Sequence, residues 1–393
     1  MGTLDRSAVV VGAGIGGLCA ALALRRQGWR VTVLERAPAF GTAGAGITLM
    51  SNALAGLAAL GLGERIRAAG RVEAAGGSRT ADGRWLARMA AADLVDQLGT
   101  ESLGIHRARL HEILHAALPE GTTVVTGAEV VEVVAGPPAE VSYVCEGARR
   151  TLRAELVVGA DGLRSVVRRR LWPETPAPAY VGSTAWRGVT DRPWTGELLV
   201  AITWAPGAEF GMVPLGDGRV YWFGAVTAPE GQRDADELAA VRERFGSWHP
   251  PIPRLLDATS PSGVLRNDLY HLGTPLGSYV RGAVALLGDA AHAMTPNLGQ
   301  GAAQAIEDAV VLGSCLPEGV GVPAGLARYD AERRPRSQRV ARASYQIGRF
   351  GQQLRNPLAV GLRNVMMRLT PPRVALRSMA RYADWHPPAE PRA

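Results

Sequence analysis

The sequence predicts an α/β fold: a Rossmann-like parallel sheet, interrupted by a mostly antiparallel β-sheet and followed by C-terminal helices. Three observations predict it. Residues 7–36 read strand, glycine turn, helix, strand, the order of a βαβ unit. Residues 180–275 alternate β-prone and turn segments, such as ELLVAITWAPG and RVYWFGAVTAPEG. AVALLGDAAH at 283–292 then returns to the parallel-strand pattern.

In chain order, SAVVV (7–11) is the first strand, LCAALALRRQG has helical spacing and closes at Gly28, and VTVLER (31–36) is the second strand. LGIHRARLHEILHAAL (103–118) reads as one amphipathic helix with an arginine near its start. TTVVTGAEVVEVVA (122–135) and ELVVGADG (155–162) read as strands. Seven aromatic residues fall between 186 and 223: Trp186, Trp194, Trp204, Phe210, Tyr221, Trp222 and Phe223. QGAAQAIEDAVVLGSCL (300–316) is a strong helix pattern. The tail from 326 to about 382 reads as helix interrupted at Pro335, Pro357 and Pro371-Pro372, because proline removes a helical donor. HPPAEPRA at the end reads as frayed.

The 393 residues are 47% apolar and 20% charged, enough for an ordinary globular core. There is no lysine, so all 43 basic residues are arginine. Residues 328–393 hold 14 of them against Asp330, Glu332, Asp384 and Glu390. The net charge of +7 therefore belongs to the tail. A basic tail can attract an anionic ligand, a membrane surface or nucleic acid. The plainer reading is a solvated helix face, and neither nucleic-acid binding nor stable membrane insertion is expected. Cys19, Cys145 and Cys315 are odd in number and far apart, which suggests no disulfide framework and no metal site. The first apolar stretch starts at Ala8 and contains turn glycines, unlike a signal peptide or a membrane span. A cytoplasmic location is expected.

The first chemical motif is Gly12-x-Gly14-x-x-Gly17, with Ile15 and Gly16 inside it. Gly12 permits the tight turn, Gly14 lets backbone approach a pyrophosphate, and Gly17 lets helix and strand pack closely. The helix N-terminus offers free N–H groups to phosphate. Glu35 ends the second strand 23 residues after Gly12, placed to accept from ribose hydroxyls. This order predicts dinucleotide binding, without choosing between FAD and NAD. Two further segments choose. One is Gly159-Ala-Asp161-Gly162 with Arg164 and Ser165; the other is Gly288-Asp289-Ala-Ala-His292, followed by Pro296-Asn297-Leu298-Gly299-Gln300-Gly301. An aspartate at a strand end beside glycine can reach a ribityl chain. Small or polar residues opening a helix can lie against an isoalloxazine edge.

In this order and spacing the three segments resemble the class A flavoprotein monooxygenases over about residues 7–370, and PNLGQGAAQAIEDA looks closest to the urate hydroxylase and zeaxanthin epoxidase branch. The resemblance implies FAD as cofactor and NADH or NADPH as electron donor. It implies pyrophosphate contacts at Gly12, Gly14 and Gly17, with Glu35 and Arg36 beside the adenosine ribose. Gly46 and Ile47 would approach the ribityl or ring region, Arg107 (Arg109 less so) the phosphates or ribityl chain, and Val130 the adenine through its backbone. Asp161 would touch FAD and the nicotinamide cofactor. Asp289, after Gly288, would bond the ribityl hydroxyls, and Leu298, Gly299, Gln300, Gly301 and Ala302 would line the ring. The chain departs from the family in having Ala303 where asparagine is frequent, and no second nucleotide fold is visible.

Chemistry at 296–302 points the same way. A helix starting near Gly299 stabilises negative charge on reduced flavin. Pro296 has no N–H, so it can face the reactive carbon without a competing donor. Pro296, Gly299 and Gln300 are therefore the catalytic candidates. His292 reads as a positioning residue of the GDAAH signature. The pair His111 and His115 reads as a surface helix face, since no third zinc ligand accompanies it, and no metal is expected.

The aromatic-rich sheet should wall the substrate pocket. Alternation puts Tyr221 and Phe223 on one face and Trp222 on the other. Trp204, Phe210 and Met212 are candidates for the same wall as Tyr221, and Arg187 either faces the pocket or braces the sheet. No residue stands out as a base. The expected division is 1–175 and 276–325 as two parts of an FAD-binding domain, 176–275 as a substrate-binding sheet domain, and 326–393 as a helical segment. The expected activity is hydroxylation of a small, electron-rich, aromatic or polycyclic substrate with O2, through the flavin C4a-hydroperoxide that the resemblance implies. Other readings are epoxidation, reduction only, or flavin binding without net redox turnover. A monomer or homodimer is expected.

Overall fold

The apolar run Ser7–Val11 forms an inner strand of a six-stranded sheet. It pairs in parallel with Arg30–Leu34 on one side and Leu156–Gly159 on the other. Val284–Leu286 continues the parallel set beyond Leu156–Gly159. Val9, Val10, Val11, Val33 and Val158 are buried, as a sheet covered on both faces requires. The computed structural model describes residues 6–41, 45–72, 75–90, 101–198 and 200–388; part of the terminal HPPAEPRA lies outside them.

The helices are α1 (Ile15–Arg26), α2 (Ser51–Ala59), α3 (Gly63–Ala69), α4 (Arg107–His115), α5 (Val166–Leu171), α6 (Glu237–Phe245), α7 (Ile252–Asp257), α8 (Asp289–His292), α9 (Gly301–Cys315), α10 (Val322–Phe350), α11 (Pro357–Leu369) and α12 (Pro372–Ala383). α1 and α9 pack together over the parallel sheet. Gly313 allows this close approach, because a Cβ there would lie 2.8 Å from the Ala23 methyl.

A seven-stranded sheet runs Leu265–His271, Ala179–Val189, Val220–Thr227, Ala208–Pro214, Ile202–Ala205, Ala75–Thr80, Trp85–Ala90 in spatial order. All its pairs are antiparallel except Ile202–Ala205 with Ala75–Thr80. One face holds Trp186, Phe210, Met212 and Trp222 against Val241 and Phe245 of α6 and Ile252, Leu255 and Leu256 of α7. The sheet extends beyond 176–275, because the hairpin at 75–90 completes it.

Three sequence expectations differ from the structure. Residues 103–118 are not one helix: Leu103–His106 is a strand paired with Gly46–Leu49, and α4 begins at Arg107. A Cβ at Gly104 would lie 2.1 Å from the Pro214 carbonyl oxygen, so the segment packs where only extended glycine fits. Residues 122–135 split at Gly127 (φ +66°) into Thr123–Val125 and Glu129–Val134, in two different sheets. Pro335 does not interrupt its helix, for α10 runs through it. An interior proline costs about 3 kcal/mol, and ion pairs of Arg333 before it and Arg336 after it tie α10 to α9. Among the described residues, no helix is long and apolar enough to cross a membrane, and no group of three or more His, Cys, Asp or Glu side chains could hold a metal ion.

Candidate active site

The glycine turn is built for an incoming group. Gly12 has φ +101°, and a Cβ there would lie 2.5 Å from the Ala160 carbonyl oxygen. A Cβ at Gly17 would meet the Gly12 carbonyl oxygen at 1.9 Å. A Cβ at Gly14 would meet no protein atom within 4 Å. Two of the glycines are thus demanded by packing. The third faces open space at the start of α1, where unpaired N–H groups suit a pyrophosphate. Glu35 accepts from the Ala13 N–H and the Ala37 N–H, each at 2.8 Å. These bonds orient the carboxylate and leave it acceptor capacity for a ribose. Arg36 beside it is exposed. His111 is half-buried rather than a free surface residue: its Nε2 lies 2.7 Å from the Ala13 carbonyl oxygen, and its ring packs on Phe40.

The three glycine-bearing segments converge. Gly12 lies against Ala160, next to Asp161, with no room for a side chain between them, and a Cβ at Gly16 would lie 2.8 Å from the Leu287 side chain. Arg168 ties the other two together, donating to the Ala290 carbonyl at 2.8 Å and to the Leu163 carbonyl at 2.5 Å. Asp161 caps α5 by accepting from the Val166 and Val167 N–H groups, and its second oxygen is buried with no partner. Burial raises that carboxyl, with the helix-start hydrogen bonds opposing. The orphaned oxygen fits a group that brings its own donors. Asp289 is open to water on one side and ringed by protein on the others. Crowding pushes its carboxyl up, and the charges of His292, Arg107 and Arg168 pull it back. Arg107 lies exposed at the start of α4, facing this cleft, while Arg109 pairs on the surface with Glu112 at 3.1 Å. Val130 is buried in the strand Glu129–Val134.

Pro296–Leu298 form a 3-10 turn, Gly299 adopts φ +64°, and α9 begins at Gly301, two residues later than the sequence suggests. Gly301 and Ala302 are half-buried at that helix start. The Gln300 side chain turns inward, accepting from Asn52 at 2.8 Å and Gln304 at 3.2 Å. The residue as a whole is buried. Leu298 likewise sends its side chain toward Val340, Ala343 and Tyr382. Behind the turn lies a buried ionic cluster: Arg333 bonds Glu307 and Asp308 at 2.5 and 2.7 Å, and Arg336 bonds Glu307 at 2.7 Å. Asp308 also holds the Gly288 N–H at 2.9 Å and His292 Nε2 at 2.6 Å. Burial raises the Asp308 carboxyl, but His292 and Arg333 outweigh it and leave it at about 2. His292 is thus anchored through Nε2, while its Nδ1 is buried with no hydrogen-bond partner.

On the seven-stranded sheet, Tyr221 and Phe223 share a face with Arg187 and Trp204. Gly46 meets this face: a Cβ there would lie 2.5 Å from Tyr221. The strand Gly46–Leu49 and the sheet wall therefore touch at Gly46, one residue before Ile47. Arg187 donates to Asn267 Oδ1 at 3.0 Å and lies beside the Tyr221 hydroxyl, so it both braces the sheet and faces this side. Trp204 sits at the outer end, under Gly351 and Arg363. Phe210 and Met212 correct the expectation: they fall on the opposite face, in the core beneath α6 and α7. Strand register decides this, because alternate residues point to opposite faces.

Glu209 takes their place. It is 5% exposed, shares the face of Tyr221, and its Oε1 lies 3.5 Å from Asn297 Nδ2 in the 296–298 turn. Burial pushes its carboxyl up to about 7, and the more distant Arg363 only partly opposes this. Sequence reasoning missed Glu209, as it missed Asn52, Arg168 and Arg333. Their roles depend on partners 88, 248, 121 and 25 positions away, respectively.

The family model described as FAD binding domain matches residues 5–344. Aurachin C monooxygenase/isomerase of Stigmatella aurantiaca is 41% identical over 368 residues, covering 92% of this chain and 93% of that protein. The 2-heptyl-3-hydroxy-4(1H)-quinolone synthase of Pseudomonas aeruginosa is 34% identical, covering 92% and 94%. The structure of Klebsiella pneumoniae HpxO complexed with FAD and uric acid superposes with a TM-score of 0.87 at 26% identity, covering 96% of each chain. With a cradle that fits FAD and relatives of this kind along almost its whole length, the chain belongs to the FAD binding domain family and is a class A, FAD-dependent monooxygenase that consumes NADH or NADPH.

Proposed function

We propose that the protein hydroxylates a nitrogen-bearing aromatic or polycyclic ring carrying an acidic O–H or N–H, with Glu209 taking that proton. The observation that carries this reading is a buried carboxyl at the 296–298 turn, on the same sheet face as Tyr221 and Phe223. Relatives named for a hydroxyquinolone, urate and 3-amino-4-hydroxybenzoate support the ring class.

FAD, when bound and reduced by NADH or NADPH, activates O2 and supplies the oxygen atom. The proposed cofactor residues are Gly12, Gly14, Ile15, Gly16, Gly17, Glu35, Arg36, Gly46, Ile47, Arg107, Val130, Asp161, Gly288, Asp289 and the segment 298–302. The start of α9 offers donors to negative charge on the ring. Tyr221, Phe223 and Trp204 provide an apolar wall that excludes water from the reacting centre. Glu209, poised near neutrality, accepts the substrate proton and makes the ring more electron-rich at the carbon to be attacked. We propose a cytoplasmic monomer or homodimer, a location that suits NAD(P)H supply and three buried free cysteines.

The test is a panel of hydroxyquinolones and hydroxylated N-heteroaromatic acids, assayed for faster NAD(P)H-driven flavin bleaching and for 18O from 18O2 in the product. One labelled oxygen per NAD(P)H consumed is expected for at least one ring. Oxygen returned only as H2O2 across the panel would sink the reading.

A further inference from the structure

α11 turns an apolar stripe outward. Leu358, Leu362, Val365, Met366 and Leu369 recur at one-face helical spacing, and all are exposed, Leu358 by 85% and Leu369 by 77%. The helix rests on the strand Trp85–Ala90 and buries only Val360. Phe350 at the end of α10, 72% exposed, and Val374 in α12 extend the apolar surface. Arg355, Arg368 and Arg377 are exposed along the same segment, within the stretch that carries 14 arginines against four acids.

We propose that α11 docks the enzyme onto an anionic membrane surface, its stripe lying in the interfacial layer and the neighbouring arginines meeting lipid headgroups. A helix of 13 residues is too short to span a bilayer, but suits an in-plane position. Charge favours this occupant over a second copy of the chain. A two-fold contact would set the same arginine-rich face against itself. An anionic surface attracts each arginine, worth roughly fivefold in affinity.

Beside this surface Phe350 lines a cavity of about 280 Å³ between α10 and α12, together with Ile347, Ala343, Tyr382 and the polar Gln346 and Arg381. The docking proposal does not depend on the function proposed above.

Full-length, FAD-loaded protein is sedimented with vesicles of phosphatidylglycerol and phosphatidylethanolamine, and with phosphatidylcholine alone. Cosedimentation with the anionic vesicles is expected, weakened about tenfold by high salt. The variant Leu362→Ser/Met366→Ser/Leu369→Ser should retain FAD and NAD(P)H oxidation but bind the vesicles about tenfold more weakly. Arg368→Glu/Arg377→Glu should lose the preference for anionic lipid. Wild-type protein left in the supernatant at low salt would overturn the proposal. So would serine variants that pellet like the wild type, or light scattering showing a dimer that the serine variant converts to monomer without any vesicle binding.

Discussion

Gly14 and Gly17 stand three positions apart and answer different demands. A methyl at Gly17 would strike the Gly12 carbonyl, whereas one at Gly14 would enter open space. Gly17→Ala should therefore lower stability by about 1–3 kcal/mol in urea denaturation. Gly14→Ala should leave the apoprotein nearly as stable but weaken FAD binding about tenfold or more in fluorescence titration. Equal stability losses for both would contradict this. Glu209 gives a second contrast. Its carboxyl titrates near 7 in the fold against 4.5 ordinarily. The added cost of burying its charge is absent below pH 4.5 and grows as pH rises to 7. Glu209→Gln should therefore match wild-type stability at pH 4.5 and exceed it by about 3 kcal/mol at pH 8. The same variant should flatten the neutral limb of the kcat/KM profile on a ring with an acidic proton. The glycines and Glu35 were legible in the sequence because their constraints are local to one turn. Glu209 is one of 36 acids, and only sheet register brings it to Asn297.

At the scale of elements, α9 and α10 are bound by the buried Arg333, Glu307 and Asp308 cluster. Arg333→Met would leave two buried carboxylates short of a partner. The expected loss is about 3–5 kcal/mol in chemical denaturation, and a variant within 1 kcal/mol of wild type would refute the cluster's importance. Asp308, held at about 2 against 3.8 ordinarily, contributes stability above pH 3.8 that fades as pH falls through 2. Acid unfolding in that window should be blunted in Arg333→Met. The helix pattern at 300–316 was legible because it is long and periodic. The continuity of α10 through Pro335 was not, since tertiary ion pairs override a local penalty. Alternation correctly parted Tyr221 from Trp222, but the same rule, misapplied across strands, grouped Phe210 and Met212 with the wall.

Across the whole molecule, α10 and the residues just after it reach both sheets. Tyr329 donates to the Leu286 carbonyl of the parallel sheet at 2.8 Å, and Gln352 reaches Gly207 beside the antiparallel one at 3.0 Å. Both sheets should therefore melt in one calorimetric transition, and free FAD at 100 times its Kd should add about 2.7 kcal/mol. Two transitions, with only one shifted by FAD, would contradict that. The alternation of sheet types was legible from β-prone runs, yet the hairpin at 75–90 was not, because nothing local tells a strand which distant sheet it will join.

The ionic cluster sits wholly behind the 296–301 turn, while Tyr221, Phe223 and Glu209 stand in front of it on a separate sheet. On the function proposed above, support and selectivity are thus divided between two sets of side chains with little overlap. Descendants of this scaffold can acquire new diets by exchanging wall residues while the mounting of the redox machinery is inherited intact.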